Sequence, residues 1–258
     1  MEHKGSHVGT FYDTVWTQYI PEFESSKEHL ELFFDDEEIV SKRILDAGCG
    51  TGIFCTIFGS KGAQKVVGID ISRGSLRTAE GLREGFKLDN VELQLTDMLR
   101  LPFRNEIFDI VWAWGTVHHT EDPKRAIEEL MRVLKNHGTL FLAIYKRTSM
   151  TPVHEIIRKT LIRFPRKFWI PISRIMACFL KPFVKVFKKR EKARKGETLE
   201  ELILDWYFVP IRFYYTPDEI SEFLEERDFT IEKFLPGSGR FESTSNFIFK
   251  SKKRGKSS

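Results

Sequence analysis

Between residues 43 and 144 two hydrophobic patterns alternate along the chain. Short apolar or β-branched runs at Arg43–Asp46, Lys65–Asp70, Val91–Leu95, Phe108–Trp112 and Thr139–Ile144 read as buried strands. Between them, Ile53–Gly59, Ser72–Glu84 and Pro123–Leu134 carry apolar residues at helical spacing. In the last of these, Ile127, Leu130, Met131 and Leu134 share one face, and Asp122 followed by Pro123 supplies an N-cap and a first turn. Strand and helix in alternation predict a parallel sheet covered by helices on both faces. Further on, Thr216–Arg227 opens on Thr-Pro-Asp-Glu, a capping-box pattern, ahead of strands at Phe229–Phe234 and Asn246–Lys250. Upstream, Thr10–Phe34 is aromatic and helix-compatible but divided by Pro21, which suggests a leading helix pair. Pro165, Pro171 and Pro182 are expected to cut the middle segment into short helices, and Ser251–Ser258 reads as a disordered tail.

Composition narrows the class. The 258 residues allow one large domain or two small ones, and 41% apolar residues with 23 Phe and 5 Trp are enough for a substantial core. The first residues lack the apolar stretch of a signal peptide and no run approaches a membrane span, so a cytosolic location is expected. Cys49, Cys55 and Cys178 form no C-x-x-C pair, which argues for reduced thiols and against a disulfide framework or a zinc site; no metal is expected. The net charge of +4 hides an asymmetry. Residues 156–190 hold 11 Lys or Arg and no acid, so without them the remaining chain carries −7. The protein is a mildly acidic body with one basic segment.

The sharpest local feature is Leu45-Asp46-Ala47-Gly48-Cys49-Gly50-Thr51-Gly52, a strand entering three alternate glycines and then a helix. Glycine without a Cβ lets a ligand approach the backbone. A dinucleotide fingerprint would need its third glycine at Ile53, and no Gly-Lys-Ser/Thr follows, so neither pyrophosphate reading nor a P-loop fits. Asp70 ends the next strand, 24 residues after Asp46, where a carboxylate can accept from both hydroxyls of an unphosphorylated ribose. After the third strand, Asp97 could meet an adenine amino group while Met98 covers the ring.

With these motifs the chain resembles the class I S-adenosylmethionine-dependent methyltransferases, in the ubiquinone and menaquinone methyltransferase (type 11) branch. The resemblance rests on Leu45–Gly52, Gly68-Ile69-Asp70-Ile71-Ser72, Asp97 with Leu101-Pro102-Phe103, Phe108–Val111, His118-His119, Ala126–Leu130 and Arg132–Lys135. It implies a Rossmann-like seven-stranded methyltransferase sheet whose last strand runs antiparallel, with S-adenosylmethionine as cofactor. It also implies that Gly48 and Gly50 face the methionine moiety, with Cys49 beside it, and that Asp46 orients its amino group. Asp70 would hold the ribose, Ile71 and Asp97 with Met98 would flank the adenine, and Trp114 and Gly115 would lie near the sulfonium. Asn136-His137-Gly138 replaces the family's Pro-Gly-Gly turn, and the bulk of Trp112 and Trp114 is expected to shape the acceptor pocket.

Methyl transfer from a sulfonium is an in-line displacement, so the protein supplies mainly alignment and exclusion of water. His119, with an ordinary pKa near 6.5, is the candidate base, and His118 is a weaker one; a purely positional role for the pair stays open. Phe11, Tyr12, Trp16 and Tyr19 read as core, although Tyr19 could cover the cofactor. Asp205-Trp206-Tyr207 and Pro210–Tyr215, with Arg212, read either as a substrate-facing strip or as core packing, and Gly237–Arg240 with Asn246 resembles the end region of methyltransferases with similar inserts. The expected division is an N-terminal helical segment (1–39), a cofactor-binding core (40–148), a basic helical cap insertion (149–204), the C-terminal part of the fold (205–250) and a basic tail (251–258). A small-molecule or lipid-like acceptor is expected. The basic segment leaves three partners open: solvent alone, an anionic membrane surface, or nucleic acid. RNA methylation and a non-catalytic S-adenosylmethionine-binding module are the alternatives.

Overall fold

A computed structural model describes residues 9, 11–13, 22–188, 199–236 and 246–255, with 182–188 and 201–202 described as backbone only. Trp16, Tyr19, Pro21 and Gly237–Arg240 lie outside the described residues.

The strands are β1 (Arg43–Ala47), β2 (Lys65–Asp70), β3 (Val91–Leu95), β4 (Phe108–Trp114), β5 (Leu134–Tyr145), β6 (Phe229–Leu235) and β7 (Asn246–Lys253). They form one sheet in the order β3-β2-β1-β4-β5-β7-β6. The first five are parallel, and β7 lies antiparallel between β5 and β6. The helices are α1 (Phe23–Glu31), α2 (Asp36–Ile39), α3 (Ile53–Ser60), α4 (Arg73–Gly85), α5 (Pro123–Val133), α6 (Thr151–Leu161), α7 (Trp169–Lys188), α8 (Leu199–Tyr207) and α9 (Pro217–Glu225). The expected caps form. Asp122 accepts from Arg125 N–H, and Thr216 and Glu219 make a reciprocal capping box.

Each face of the sheet is covered. Ile127, Leu130, Ile220 and Phe223 belong to one buried cluster; Leu30, Phe34, Ile57 and Phe58 belong to the other. Trp112 belongs to the second. It is fully buried, stacked on Phe141 at 3.7 Å and edge-on to Phe58, so it fills the layer under α1 and α3 and does not shape an acceptor pocket. A third cluster joins Phe11 of the N-terminal segment to Trp169, Ile203, Leu204, Tyr207 and Phe208, and so ties that segment to the cap.

Three expectations are corrected. Pro171 does not break α7 because it sits in the first turn, where its missing N–H has no partner to lose; Pro182 lies inside the same helix. The chain does not become a loose tail at Ser251. That residue is fully buried opposite Leu140, and β7 continues to Lys253. At Asn136–Gly138 the left-handed residue is His137 (φ 58°), and β5 begins before it at Leu134.

Candidate active site

The carboxyl ends of β1, β2 and β4 converge on the glycine loop, and its three glycines serve three purposes. The N–H groups of Gly48 and Cys49 both donate to Ile69 O, at 2.8 and 2.9 Å, which ties the loop to the end of β2. A Cβ on Gly48 would lie 2.4 Å from Thr116 Cγ2, and Thr116 Oγ1 donates to Ala47 O at 2.8 Å. A Cβ on Gly52 would lie 2.6 Å from that of Ala79 on α4. Gly50 alone of the three has nothing within 4 Å, which leaves room beside its backbone.

Asp70 is positioned by the same loop. Its Oδ2 accepts from Gly50 N–H and its Oδ1 from Ser72 N–H, both at 2.8 Å, leaving lone pairs on each oxygen for a diol. Burial raises its pKa, and the backbone N–H groups of Ser72, Gly50 and Ile71 oppose that rise. Asp46 is buried behind the loop and accepts from the Cys55 thiol at 3.1 Å; burial lifts its pKa to about 7. Cys49 forms a hydrogen bond with Cys55 that favours its thiolate, but burial and the charges of Asp46 and Asp70 outweigh it and push the thiol up to about 11, which favours the protonated form at neutral pH. Asp97 is exposed with Oδ1 accepting from Leu99 N–H, whereas Met98 is buried in the core and offers the crevice little side-chain surface. Ile71 is covered from above, since a Cβ on Gly9 would lie 2.9 Å from its carbonyl oxygen.

Past β4, Gly115 (φ 71°) turns the chain into the short helix Val117–His119. Trp114 stacks with Trp112 and Phe141 and meets His29 edge-on, on the α1 and α3 side of the sheet. His118 is fully buried with its ring against Tyr145 at 3.8 Å; burial first, then the nearby His119 and Arg212, hold its pKa well below 6.5. His119 is set by Nδ1, which lies 2.9 Å from Ile211 O. The carbonyl can only accept, so Nδ1 carries the proton and Nε2 the lone pair. Burial lowers the His119 pKa to about 4. Around the pair stand Tyr12, whose ring is edge-on to His119, and Tyr145, whose hydroxyl donates to Asp205 Oδ2 at 2.8 Å. Arg212 lies over the Tyr145 ring, 4.1 Å from its centroid.

Several of these positions escaped the sequence. Asp13 accepts from Ser72 Oγ and Gly74 N–H, both at 2.7 Å, and so clamps the N-terminal segment onto the start of α4; nothing in its surroundings along the chain announces that. Thr116 was recoverable only by asking what Gly48 leaves room for. Among the described residues no group of three His, Cys, Asp or Glu is arranged to hold a metal ion.

The crevice, with one open glycine beside a strand-end carboxylate, has donors that fit the ribose end of S-adenosylmethionine. Residues 45–142 match the model of the methyltransferase domain family, type 11. S-adenosylmethionine is the cofactor of this domain. Ajmaline N-methyltransferase of Rauvolfia serpentina is 26% identical over 180 residues, covering 67% of this chain and 62% of the relative. A tRNA U34 carboxymethyltransferase of Campylobacter hominis is 30% identical over 135 residues, covering 52% and 44%. The chain thus spans less than two thirds of these relatives' length. Magnesium protoporphyrin IX methyltransferase from Synechocystis PCC 6803, solved with bound SAH, superposes with a TM-score of 0.56 at 17% identity, over 90% of this chain and 81% of that one; this likeness concerns the fold alone.

Proposed function

We propose that this chain transfers the methyl group of S-adenosylmethionine, in line, to a nucleophilic atom of a small or lipid-like molecule. The observation that carries the reading is the join of Gly50 and Asp70: an N–H to carboxylate bond that leaves open space on one partner and spare lone pairs on the other. The cofactor supplies an electrophilic methyl on a sulfonium; the protein's task is to hold two molecules in register and keep water out. Asp70 grips the ribose diol, Asp97 and Ile71 flank the base, and Asp46 acts on the methionine end from behind the loop. His119, neutral at working pH, offers Nε2 to a proton released by the acceptor. Its low basicity suits an acceptor that loses its proton late in the displacement.

The cap supports a second element. Ile156, Phe164, Phe168, Ile175 and Phe179 are exposed, Phe179 by 73% and Ile156 by 68%, and Arg166, Lys167, Arg174 and Lys181 are exposed among them. Apolar side chains held in water beside cations, with no acid between residues 156 and 190, favour docking on an anionic bilayer surface. No described helix is long and apolar enough to cross a membrane.

Calorimetry with S-adenosylhomocysteine tests the first element. Binding is expected, and Asp70→Ala is expected to weaken it by about 10–100-fold. Methyl-labelled cofactor incubated with a cell extract should then label the small-molecule or lipid fraction. No heat with either form of the cofactor would overturn the reading. Label in RNA would move the acceptor to the tRNA-like alternative, and tight binding with no label anywhere would favour a non-catalytic module.

A further inference from the structure

Two arginines bracket the strip that follows α8, and only one of them is fully employed. Arg158 is 5% exposed; its Nε and Nη2 hold both oxygens of Glu155 at 2.8 and 2.9 Å, and its Nη1 donates to the carbonyls of Val209 and Pro210. Arg212 is as deeply buried, at 6% exposed, but only Nη1 is engaged, on Trp206 O. Its Nε and Nη2 meet no hydrogen-bond acceptor among the described residues. The neighbouring Asp205 carboxylate accepts from Tyr145 and favours the guanidinium through its charge, without occupying the Nε–Nη2 edge. A buried guanidinium with idle donors is costly unless something pairs with them.

The two idle nitrogens share one edge of the guanidinium plane. That edge presents two parallel N–H groups in the fork that fits a planar carboxylate, with both oxygens bound at once. Its position is fixed by the residues on either side. Ile211 O accepts from His119, and Phe213 N–H donates to His118 O at 2.9 Å, so Arg212 is pinned against the His pair at the carboxyl ends of β4 and β5. Tyr145 and Tyr214 wall it with aromatic faces, with ring centroids 4.1 and 5.5 Å from the guanidinium carbon. Tyr12, edge-on to His119, is close enough to feel the charges of both Arg212 and Asp70, and so links this fork to the donor end of the crevice.

We propose that Arg212 is the specificity residue of the acceptor site and that the molecule methylated is a carboxylic acid, its carboxylate seated on the Nε–Nη2 edge between Tyr145 and Tyr214. The inference rests on the methyl-transfer reading. It places an apolar or aromatic body against the tyrosines and leaves His119 beside the atom to be methylated.

Benzoate and its neutral isostere benzamide serve as probes, titrated by ligand-observed NMR into protein saturated with S-adenosylhomocysteine. Wild type is expected to prefer benzoate by about tenfold or more. Arg212→Gln should abolish the preference while leaving benzamide and S-adenosylhomocysteine binding unchanged, and Arg212→Lys, which keeps charge without the fork, should restore only part of it. Equal binding of the two probes by wild type overturns the proposal without needing any variant to fold, and so does a preference that survives in Arg212→Gln. A loss of S-adenosylhomocysteine affinity in Arg212→Gln, with benzoate unaffected, also overturns it by assigning the fork to the cofactor's own carboxylate. Should wild type bind no S-adenosylhomocysteine, the methyl-transfer reading fails, and the same benzoate comparison on the free protein still decides whether the fork takes a carboxylate.

Discussion

The donor end of the crevice and its acceptor end are made of different material. At the donor end the working groups are largely backbone and drawn from a single strand-helix-strand unit: the N–H groups of Gly50 and Ser72 on the Asp70 carboxylate, and those of Gly48 and Cys49 on the Ile69 carbonyl. At the acceptor end they are side chains from separate parts of the chain: Tyr12, His119, Tyr145, Asp205 and Arg212. A backbone site tolerates little variation in the residues that shape it, whereas a side-chain site can be rebuilt one residue at a time. On the methyl-transfer reading proposed above, the first suits a constant ligand and the second a variable one.

The largest effect should come from the donor end. Gly48→Ala places a Cβ at φ +76° and 2.4 Å from Thr116, combining left-handed strain with overpacking, and should cost about 3 kcal/mol or more in chemical denaturation. Thr116→Gly in the same chain should return the steric part. If Gly48→Ala unfolds at the wild-type midpoint, the loop is not a rigid frame.

Next in size is a pH dependence from the acceptor end. The pKa of His119 falls from an ordinary 6.5 to about 4 on folding, so the unfolded chain binds the extra proton first. Stability from this group is intact above pH 6.5 and is lost as pH falls through about 4, by roughly 3 kcal/mol, with His118 acting in the same direction. Asp46 works the other way. Its folded pKa, raised to about 7, gives stability that is present below pH 4 and lost as pH rises through 7. Denaturation of His119→Gln between pH 4 and 6.5 should therefore show a weaker acid loss than wild type, and Asp46→Asn a steeper one. Equal slopes in all three would sink the assignment of burial to these groups.

Gly50→Ala sharpens the contrast within one motif. With open space around it, its stability cost is only the left-handed backbone, about 1 kcal/mol, yet a methyl there intrudes where the ligand approaches. Cofactor affinity should fall by more than stability does. The reverse ranking would mean that Gly50 is a turn residue and nothing more.

What could be read from the sequence follows the same division. The caps at Asp122 and Thr216 are local patterns whose physics is complete within a few residues, and they fold as read; the glycine loop and Asp70 are legible as motifs, but what joins them is a bond across 20 residues that only the folded sheet makes. Arg212 stood in the sequence as an arginine among aromatics; only folding shows that one edge of it is idle. The end of β7 was misread because lysine suggests water. Yet Lys250 Nζ donates to Phe33 O and Glu38, and Lys253 Nζ to Leu134 O, so these amines are bound to the body and their stems lie along it. Trp112 was assigned to a pocket because of its size, and size alone does not say which face of the sheet a residue serves.

The smallest effect on stability should come from the cap, and its smallness is informative. Phe179 and Ile175 are 73% and 58% exposed, so replacing both with Ser removes little packing and should shift unfolding by less than about 0.5 kcal/mol. On vesicles rich in anionic lipid the same change removes side chains that would otherwise leave water, and partitioning should drop by about tenfold. Raising the salt should weaken the remaining attraction, which then rests on the cations of the cap, Lys167 and Lys181 among them, Arg174 being paired with Glu200. Nucleic acid would behave differently, because phosphate contacts depend on the cations and not on these two apolar side chains. A double variant that loses vesicles and keeps RNA binding would therefore separate two surfaces. One that binds vesicles as wild type does would show that the exposed apolar residues of α7 are not what meets the membrane.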